Sequence, residues 1–332
     1  MPQTPIDRTR RPAPAPAWSP EELAEVAPLL EEIDAFAPTR PRPPVDGELK
    51  LALSDALPLL PELAASTRQL LTRQLMQRLG FDERRLAKWR LEHKLIQALV
   101  FDRYAPGSLP VTCGLDRIAW RTGLGNLRVS LRDRFPSGFV VKTGLGDSSG
   151  DNCDFRTEAA LSWIENGGRG NPAPSLLTSE EFVVQERVAI RREYRVHTVE
   201  DRVIEDLTVR RHHGTVGPGE RSAPNRRVQS ILDMLPAGLT AGAILAWDVA
   251  VTEDGSVSVI EINIGGMHTV YNPGFHASGY YHHKHYGCVY TARLLLFIER
   301  TYKCSISVLA DAPDRAEERS FYEEVNDWKS RF

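Results

Sequence analysis

An α+β fold is what these 332 residues predict, and three observations carry it. Apolar residues recur at helical spacing through most of residues 51–101, where Leu59, Leu63, Leu70, Leu71, Leu75 and Leu79 supply the stripe. After Tyr104-Ala105-Pro106-Gly107 the character changes, and short strand-like segments alternate with helical ones. Further on, two β-rich runs flank Glu253-Asp254-Gly255-Ser256. Asp-Gly in that setting is the strongest short-range hairpin signal, because both residues tolerate the positive φ of a type I′ turn.

The elements follow in order. Residues 1–18 and 37–47 are Pro-rich and read as extended or disordered chain. Between them Ser19-Pro20-Glu21-Glu22 starts a helix, with an N-capping Ser, Pro at the first helical position and Glu at the third. Leu23, Val26, Leu29 and Leu30 continue it at helical spacing, and the spacing leaves open whether it packs on the body or on a partner. Pro58 and Pro61 mark a break or a start in the helical stretch. Phe81-Asp82-Glu83 interrupts it again before a second helix over 83–100. Strands are expected at 138–142, 181–189, 194–199 and 203–209, with a helix at 156–163. The hairpin strands come next, then a long helix over 289–302 and a charged tail, 311–332, that reads as a surface helix. The resulting layout is a leader at 1–48, partly disordered with a short helix, a helix-rich region at 49–108, two α+β regions at 109–184 and 185–303, and a tail at 304–332.

Composition removes several function classes. The length suits about two domains with proper cores. A net charge of −3, from 41 basic and 44 acidic residues, argues against a general nucleic-acid or membrane surface. No apolar run approaches the roughly 20 residues a membrane span needs. The Arg- and Pro-rich first residues lack the apolar segment of a secretory signal. The four cysteines, Cys113, Cys153, Cys288 and Cys304, form no C-x-x-C pair and read as reduced thiols in a cytoplasmic protein.

The hairpin carries the most chemistry. With Asp254 and Gly255 as the loop, Glu253 faces Ser256, and counting outward Asp248 faces Glu261. Opposed residues on a sheet face have Cβ atoms roughly 5 Å apart, and like charges there repel. Asn263 joins that face, and so by this count do Ala250, Val257 and Val259, which makes it apolar. Two carboxylates on such a face require a cation, or one must hold a proton. Mg²⁺ is the natural candidate, a hard ion that takes carboxylates and keeps positions for waters and phosphates, with Mn²⁺ as the alternative. The plainer reading is an edge hairpin with both acids in water.

Upstream, Phe139-Val140-Val141-Lys142 runs into Thr143-Gly144-Leu145-Gly146-Asp147-Ser148-Ser149-Gly150. A fixed ammonium beside flexible backbone N–H groups is what a phosphate site needs, although the same pattern also serves as an ordinary strand exit. Arginines cluster at Arg187, Arg191, Arg192, Arg195, Arg210 and Arg211. Near a phosphate loop they suit transfer of a negatively charged group; otherwise they form a solvated rim. Between Gly265 and Cys288 lies an unusual Gly-, His- and Tyr-rich stretch. His282, His283, His285 and Cys288 within it permit a zinc reading, against that of a polar, aromatic surface loop.

Taken together, Lys94, the Lys142 loop, the step from Glu186 to Glu193, the arginines and Asp248…Glu261-x-Asn263 resemble the ATP-grasp superfamily over about residues 91–300. The branch they resemble contains D-alanine–D-alanine ligases, glutathione synthetases and related carboxylate–amine ligases. The resemblance implies two α+β lobes clamping ATP, here preceded by a helix-rich N-terminal region. It implies Lys94 and Lys142 on the phosphates, with Ser148 and Ser149 in the flexible loop. It places adenine against Gln185, Glu186 and Val188, largely through backbone groups, and the ribose hydroxyls on Glu193. Magnesium falls to Asp248, Glu261 and Asn263, and Arg195, Arg210 and Arg211 lie near phosphate or substrate with Lys142. Gly265, Gly266, His268 and Tyr271 border the acceptor pocket. The implied activity is an ATP- and Mg²⁺-dependent carboxylate–amine (or thiol) ligase acting through an acyl phosphate on small-molecule or peptide substrates. A homodimer is compatible with it. The alternatives are a kinase on the same fold and a nucleotide-binding protein without turnover. Two departures stand out. Many ligases of this branch carry Arg two residues before the first metal acid, where this chain has Ala246, so that role falls to Arg210 or Arg211 or is absent. The usual N-terminal α/β lobe is also hard to see in residues 50–100.

Overall fold

The strand Ile244–Thr252 (β9) is at the centre of the molecule, and its alternation explains the layers on either side. Leu245, Trp247 and Val249 point to one face and join the main core; Ala246, Asp248 and Ala250 point to the other. The computed structural model describes residues 20–34, 48–51, 93–115, 118, 123–144, 157–159, 161–162, 165–166, 182–210, 214–240, 244–264, 284–308 and 316–332. The fold is α+β.

β9 pairs antiparallel with Val257–Ile264 (β10) on one side and Ile190–Val199 (β5) on the other. Val209–Arg210 (β7) and Gly214–Thr215 (β8) extend the sheet to the order β10-β9-β5-β7-β8, and Arg202–Val203 (β6) pairs with β5. The expected strand over 203–209 is therefore divided. A 3-10 turn at Glu205–Leu207 separates its two ends and turns Leu207 inward. A second antiparallel sheet has the order Thr112–Gly114 (β2), Phe182–Glu186 (β4), Phe139–Thr143 (β3). Residues 187–189 join β4 directly to β5, so one short connector links the two sheets.

Helices cover the core face of the larger sheet. Pro20–Asp34 (α1) packs on the body, because Val26, Leu29 and Ile33 enter the main core and Asp34 accepts a 2.9 Å hydrogen bond from Tyr104. Burial, and then that carboxylate, push the Tyr104 hydroxyl up to about 12. Tyr104 ends the helix Lys94–Tyr104 (α2), in which Lys94 to Phe101 are all buried. Phe101 meets Trp247 edge-on at 5.9 Å, and Trp247 Nε1 donates to Thr198. Pro218–Leu232 (α3) brings Val228, Ile231 and Leu232 to the same core. Pro218 starts it at a position where the missing N–H costs nothing.

Two segments far apart in the chain meet in a small sheet. Glu48–Leu51 (β1) pairs in parallel with Ser305–Val308 (β11), so Leu51 closes a strand where a helical stretch was expected. Residues 52–92, with the remainder of that stretch, lie outside the described residues. The long helix spans Lys284–Tyr302 (α4) and the charged tail forms Ala316–Arg331 (α5). α5 is tied back by Lys329, which meets Glu299 at 2.7 Å, and its Val325 is fully buried.

The hairpin reaches its register by an unexpected route. Thr252 N–H donates to Ser256 at 2.9 Å, and Gly255 N–H donates back to Thr252 at 3.0 Å. The loop is thus the three residues Glu253, Asp254 and Gly255, with Gly255 at φ +82. Thr252 and Ser256 also donate to Asp254, holding its carboxyl down to about 2. Val257 then faces Val251 and Val259 faces Val249, one residue off the two-residue count. A β-bulge between Val259 and Glu261 removes the offset, and Glu261 faces Asp248 as expected. Val257 and Val259 consequently turn to the core face, and Ser258 takes the place beside Ala250.

Gly255→Val places a β-branched residue at positive φ and should destabilise the protein by about 1–2 kcal/mol, read as a shift in urea midpoint. An unchanged midpoint would contradict the three-residue loop.

Candidate active site

The face of β10, β9 and β5 turned away from the core holds three rows of side chains. Ser258, Ala250 and Glu193 form one; Glu261, Asp248 and Arg195 the next; Asn263, Ala246 and His197 the third. Rows are two residues apart along β9 and β5, or about 6.7 Å, while the bulge makes the step from Ser258 to Glu261 on β10 three.

The middle row contains the charge. Arg195 grips Asp248 with two hydrogen bonds, Nε to Oδ1 at 2.8 Å and Nη2 to Oδ2 at 2.9 Å. Their side chains are only 8% and 12% exposed, so the pair is largely removed from water. Asn263 Nδ2 donates to Asp248 Oδ2 at 3.2 Å. Glu261 is bridged from two other elements. Lys94 Nζ, at the start of α2, lies 3.3 Å from one carboxylate oxygen, and Lys142 Nζ, from β3, lies 3.5 Å from the other. Lys94 N–H also donates to Gly144 at 2.9 Å, which fastens the start of the Gly/Ser loop to the same helix. The edge hairpin with both acids in water is not what forms: three cations surround two opposed carboxylates.

His197 sits in the third row, fully buried, with Nδ1 3.0 Å from the Leu207 carbonyl. Burial, and then the nearby Arg195 charge, lower its pKa to about 3. Across from it Ala246 is fully buried. Its small side chain coincides with delivery of a guanidinium to Asp248 from the neighbouring strand, by Arg195.

Six expected site residues therefore converge: Lys94, Lys142, Arg195, Asp248, Glu261 and Asn263. Glu193 stands one row from Arg195 on the same face. Gln185 ends its side chain away from that face, which leaves only its backbone for the expected adenine contact. Its side-chain amide donates to Thr112 at 3.0 Å and to the Ile260 carbonyl at 3.4 Å. Glu186, half-buried, donates its N–H to Val111, and Val188 lies in the connector between the sheets. Arg210 is not brought to the group. It pairs with Tyr194, whose side chain belongs to the core face, and binds Glu220 on α3 at 3.0 Å. Tyr194 donates to the same Glu220 oxygen at 2.8 Å. Arg211, Ser148, Ser149, Gly265, Gly266, His268 and Tyr271 lie outside the described residues, as do His282 and His283. His285 and Cys288 fall early in α4. Among the described residues no three His, Cys, Asp or Glu side chains gather as a metal site.

Two residues of the neighbourhood escaped sequence reading, Gln97 and Glu220. Gln97 Nε2 donates to the Ile262 carbonyl at 2.6 Å and its Oε1 accepts from Ile262 N–H at 2.9 Å. Its signal was available, since it stands three residues after Lys94 and hence on the same helix face. Glu220 lay in α3, whose Pro224 and arginines look like loop.

No family profile and no curated protein matches the sequence. Among solved structures the chain is similar to N5-carboxyaminoimidazole synthetase from Staphylococcus aureus complexed with ADP, at 13% identity and TM-score 0.35, over 52% of this chain and 43% of that one. It is similar to the ATP-grasp ligase PsnB, complexed with a phosphomimetic variant of its minimal precursor, Mg and ADP, at 16% identity and TM-score 0.35, over 63% of this chain and 60% of that one. It is also similar to the macrocyclase MdnC bound with precursor peptide MdnA, from Microcystis aeruginosa MRC, at 16% identity and TM-score 0.35, over 66% and 71%. The chain spans less than two thirds of the length of the first two. ATP-grasp ligases are thus among the solved structures to which this chain is similar. Among the described residues no helix is long and apolar enough to cross a membrane.

The Arg195–Asp248 pair makes one test. Arg195→Ala leaves a buried carboxylate without its main partner and should cost about 3–5 kcal/mol, whereas Leu at both positions should recover most of it. Additive losses in urea unfolding would contradict the pairing. His197 makes a second. Its folded pKa lies below the ordinary 6.5, so the unfolded chain binds the extra proton and stability falls as pH drops from 6.5 towards 3. Relative to His197→Gln, the wild type should lose about 1.4 kcal/mol per pH unit between roughly pH 6 and 5. Parallel curves would show that His197 is not held neutral.

Proposed function

We propose that the protein is an ATP- and Mg²⁺-dependent carboxylate–amine (or thiol) ligase working through an acyl phosphate. One observation carries the reading: two lysines from different elements meet at Glu261, beside an Asp248 fixed by Arg195 and Asn263. Three cations over two carboxylates leave positive charge, which suits a polyphosphate.

The donor chemistry fits a hard divalent ion. Asp248 and Glu261 oppose each other with a carboxamide two residues along, and such an ion keeps its remaining positions for water and phosphate oxygens. Mg²⁺, or Mn²⁺, would be held by Asp248, Glu261 and Asn263 and would neutralise charge developing between the phosphates. Lys94 and Lys142 would then exchange Glu261 for phosphate oxygens, and Lys142 would orient the γ-phosphate for in-line attack by a substrate carboxylate. Arg195 holds the Asp248 carboxylate in place with its two hydrogen bonds. Glu193, on the same face, would accept from ribose hydroxyls, and Gln185 and Glu186 at the end of β4, with Val188 in the connector, would border adenine largely through backbone groups. Ser148 and Ser149 would close over the phosphates. Gly265, Gly266, His268 and Tyr271 would border the acceptor pocket, with Arg211 near the developing oxyanion. The substrates would be a small-molecule or peptide carboxylate and an amine, and the location cytoplasmic.

The test is chemical trapping. Full-length protein with ATP, Mg²⁺ and a pool of carboxylates should release ADP, and added hydroxylamine should yield a hydroxamate. Lys142→Ala should lower that rate by about a hundredfold or more. ADP with a stable phosphoryl ester and no hydroxamate would mean a kinase. ATP binding without ADP release from any acceptor would mean a nucleotide-binding protein and would sink the ligase reading.

A further inference from the structure

We infer that Gln97 is a positioning residue for the metal-binding strand, pairing with the β10 backbone as a neighbouring strand would. The inference rests on the Mg²⁺–nucleotide reading above. Among the described residues β10 is an edge strand, with β9 on one side and no further strand paired to it in this sheet. An edge presents backbone N–H and C=O groups outward, and buried ones must find partners.

Ile262 is the residue between Glu261 and Asn263, and it is buried. Its side chain faces the core, opposite Trp247, and its outward N–H and C=O both go to the Gln97 carboxamide, at 2.9 and 2.6 Å. A primary carboxamide offers one acceptor and a donor in the plane of a peptide group, so Gln97 reproduces what an adjacent strand would supply. Gln97 is itself 3% exposed, on a helix buried on every side from Lys94 to Phe101. Gln185 does the same less completely one ladder step earlier. From β4, and steadied by Thr112, it donates to the Ile260 carbonyl at the bulge.

The two glutamines bracket Glu261. One fixes the backbone before it and the other the backbone after it, and each comes from an element that also bears on the site. α2 carries both Gln97 and Lys94, so the helix that pins the strand also delivers one of the ammoniums to Glu261. The bulge gives the strand a local freedom that a regular ladder lacks, and the clamp removes it. What Gln97 sets is the aim of the Glu261 and Asn263 side chains relative to Asp248. Groups that orient metal ligands without touching the metal act on metal affinity more than on the remainder of the binding energy.

The experiment uses the full chain, with ATP as probe and Mg²⁺ titrated from an EDTA baseline, followed by calorimetry. Gln97→Leu keeps the volume and removes both hydrogen bonds. It should raise the Mg²⁺ concentration for half-maximal binding by about tenfold or more, while ATP affinity in EDTA changes by less than about twofold. A parallel loss under both conditions would show a merely structural role and overturn the inference. An unchanged Mg²⁺ dependence, with Asp248→Asn shifting it, would overturn the inference and leave the Mg²⁺–nucleotide reading standing. If neither variant shifts it, that reading fails and the inference falls with it. Should Gln97→Leu not fold, Gln185→Leu, which releases the Ile260 carbonyl and the Thr112 hydroxyl, takes its place with the same EDTA control. A rise of about threefold supports the clamp, and no rise overturns it.

Discussion

Two like charges held roughly 5 Å apart on neighbouring strands repel strongly where water cannot screen them, and Asp248 and Glu261 are held that way on a largely buried face. The surrounding architecture supplies the counter-charge from separate pieces of chain. Arg195 comes from the adjacent strand, Lys94 from the start of a helix and Lys142 from the second sheet. Neither lysine can reach unless the two sheets and α2 are docked in one arrangement. The charge arrangement and the tertiary fold therefore specify each other, and a structure without that docking would leave Glu261 without its two ammonium partners.

Docking in turn depends on the edge of β10. Gln97 and Gln185 meet its backbone on the side away from β9, one from α2 and one from β4. Through them the strand that carries Glu261 touches both elements that carry the lysines or their sheet. On the other face Trp247, Val249 and Ile262 pack into the core with Phe101 and Val183, so the same strands that present charge outward bury apolar surface inward. The alternation of a strand's side chains makes both possible within nine residues of β9.

Much of this was legible in the sequence, and for stated reasons. The Asp-Gly turn and the β-rich runs placed Asp248 opposite Glu261, and Lys142 before its glycines marked the phosphate-loop pattern. The register was right although the loop was not: a three-residue turn and a bulge introduce offsets that cancel at the carboxylates. That cancellation hid the reversal of Val257 and Val259, because the bulge at residue 260 leaves no composition signal. Arg195 and Arg210 look alike as residues, yet β5 and β7 register sends the first to Asp248 and the second to Glu220 on the opposite face. Strand pairing between segments far apart in the chain decides that, and single-strand pattern does not contain it. The pairing of Glu48–Leu51 with Ser305–Val308 was invisible for the same reason, as four residues of strand at each end carry almost no period.

The central claim is that Asp248, Glu261 and Asn263 together hold a divalent ion beside a nucleotide. Mn²⁺ is a direct reporter, since its electron paramagnetic resonance spectrum changes when the hydrated Mn²⁺–ATP complex becomes fixed in a protein site. With full-length protein and ATP, the account predicts a bound-ion spectrum that Glu261→Gln greatly weakens. A spectrum identical to that of Mn²⁺–ATP in free solution, from folded wild-type protein in excess, would contradict it.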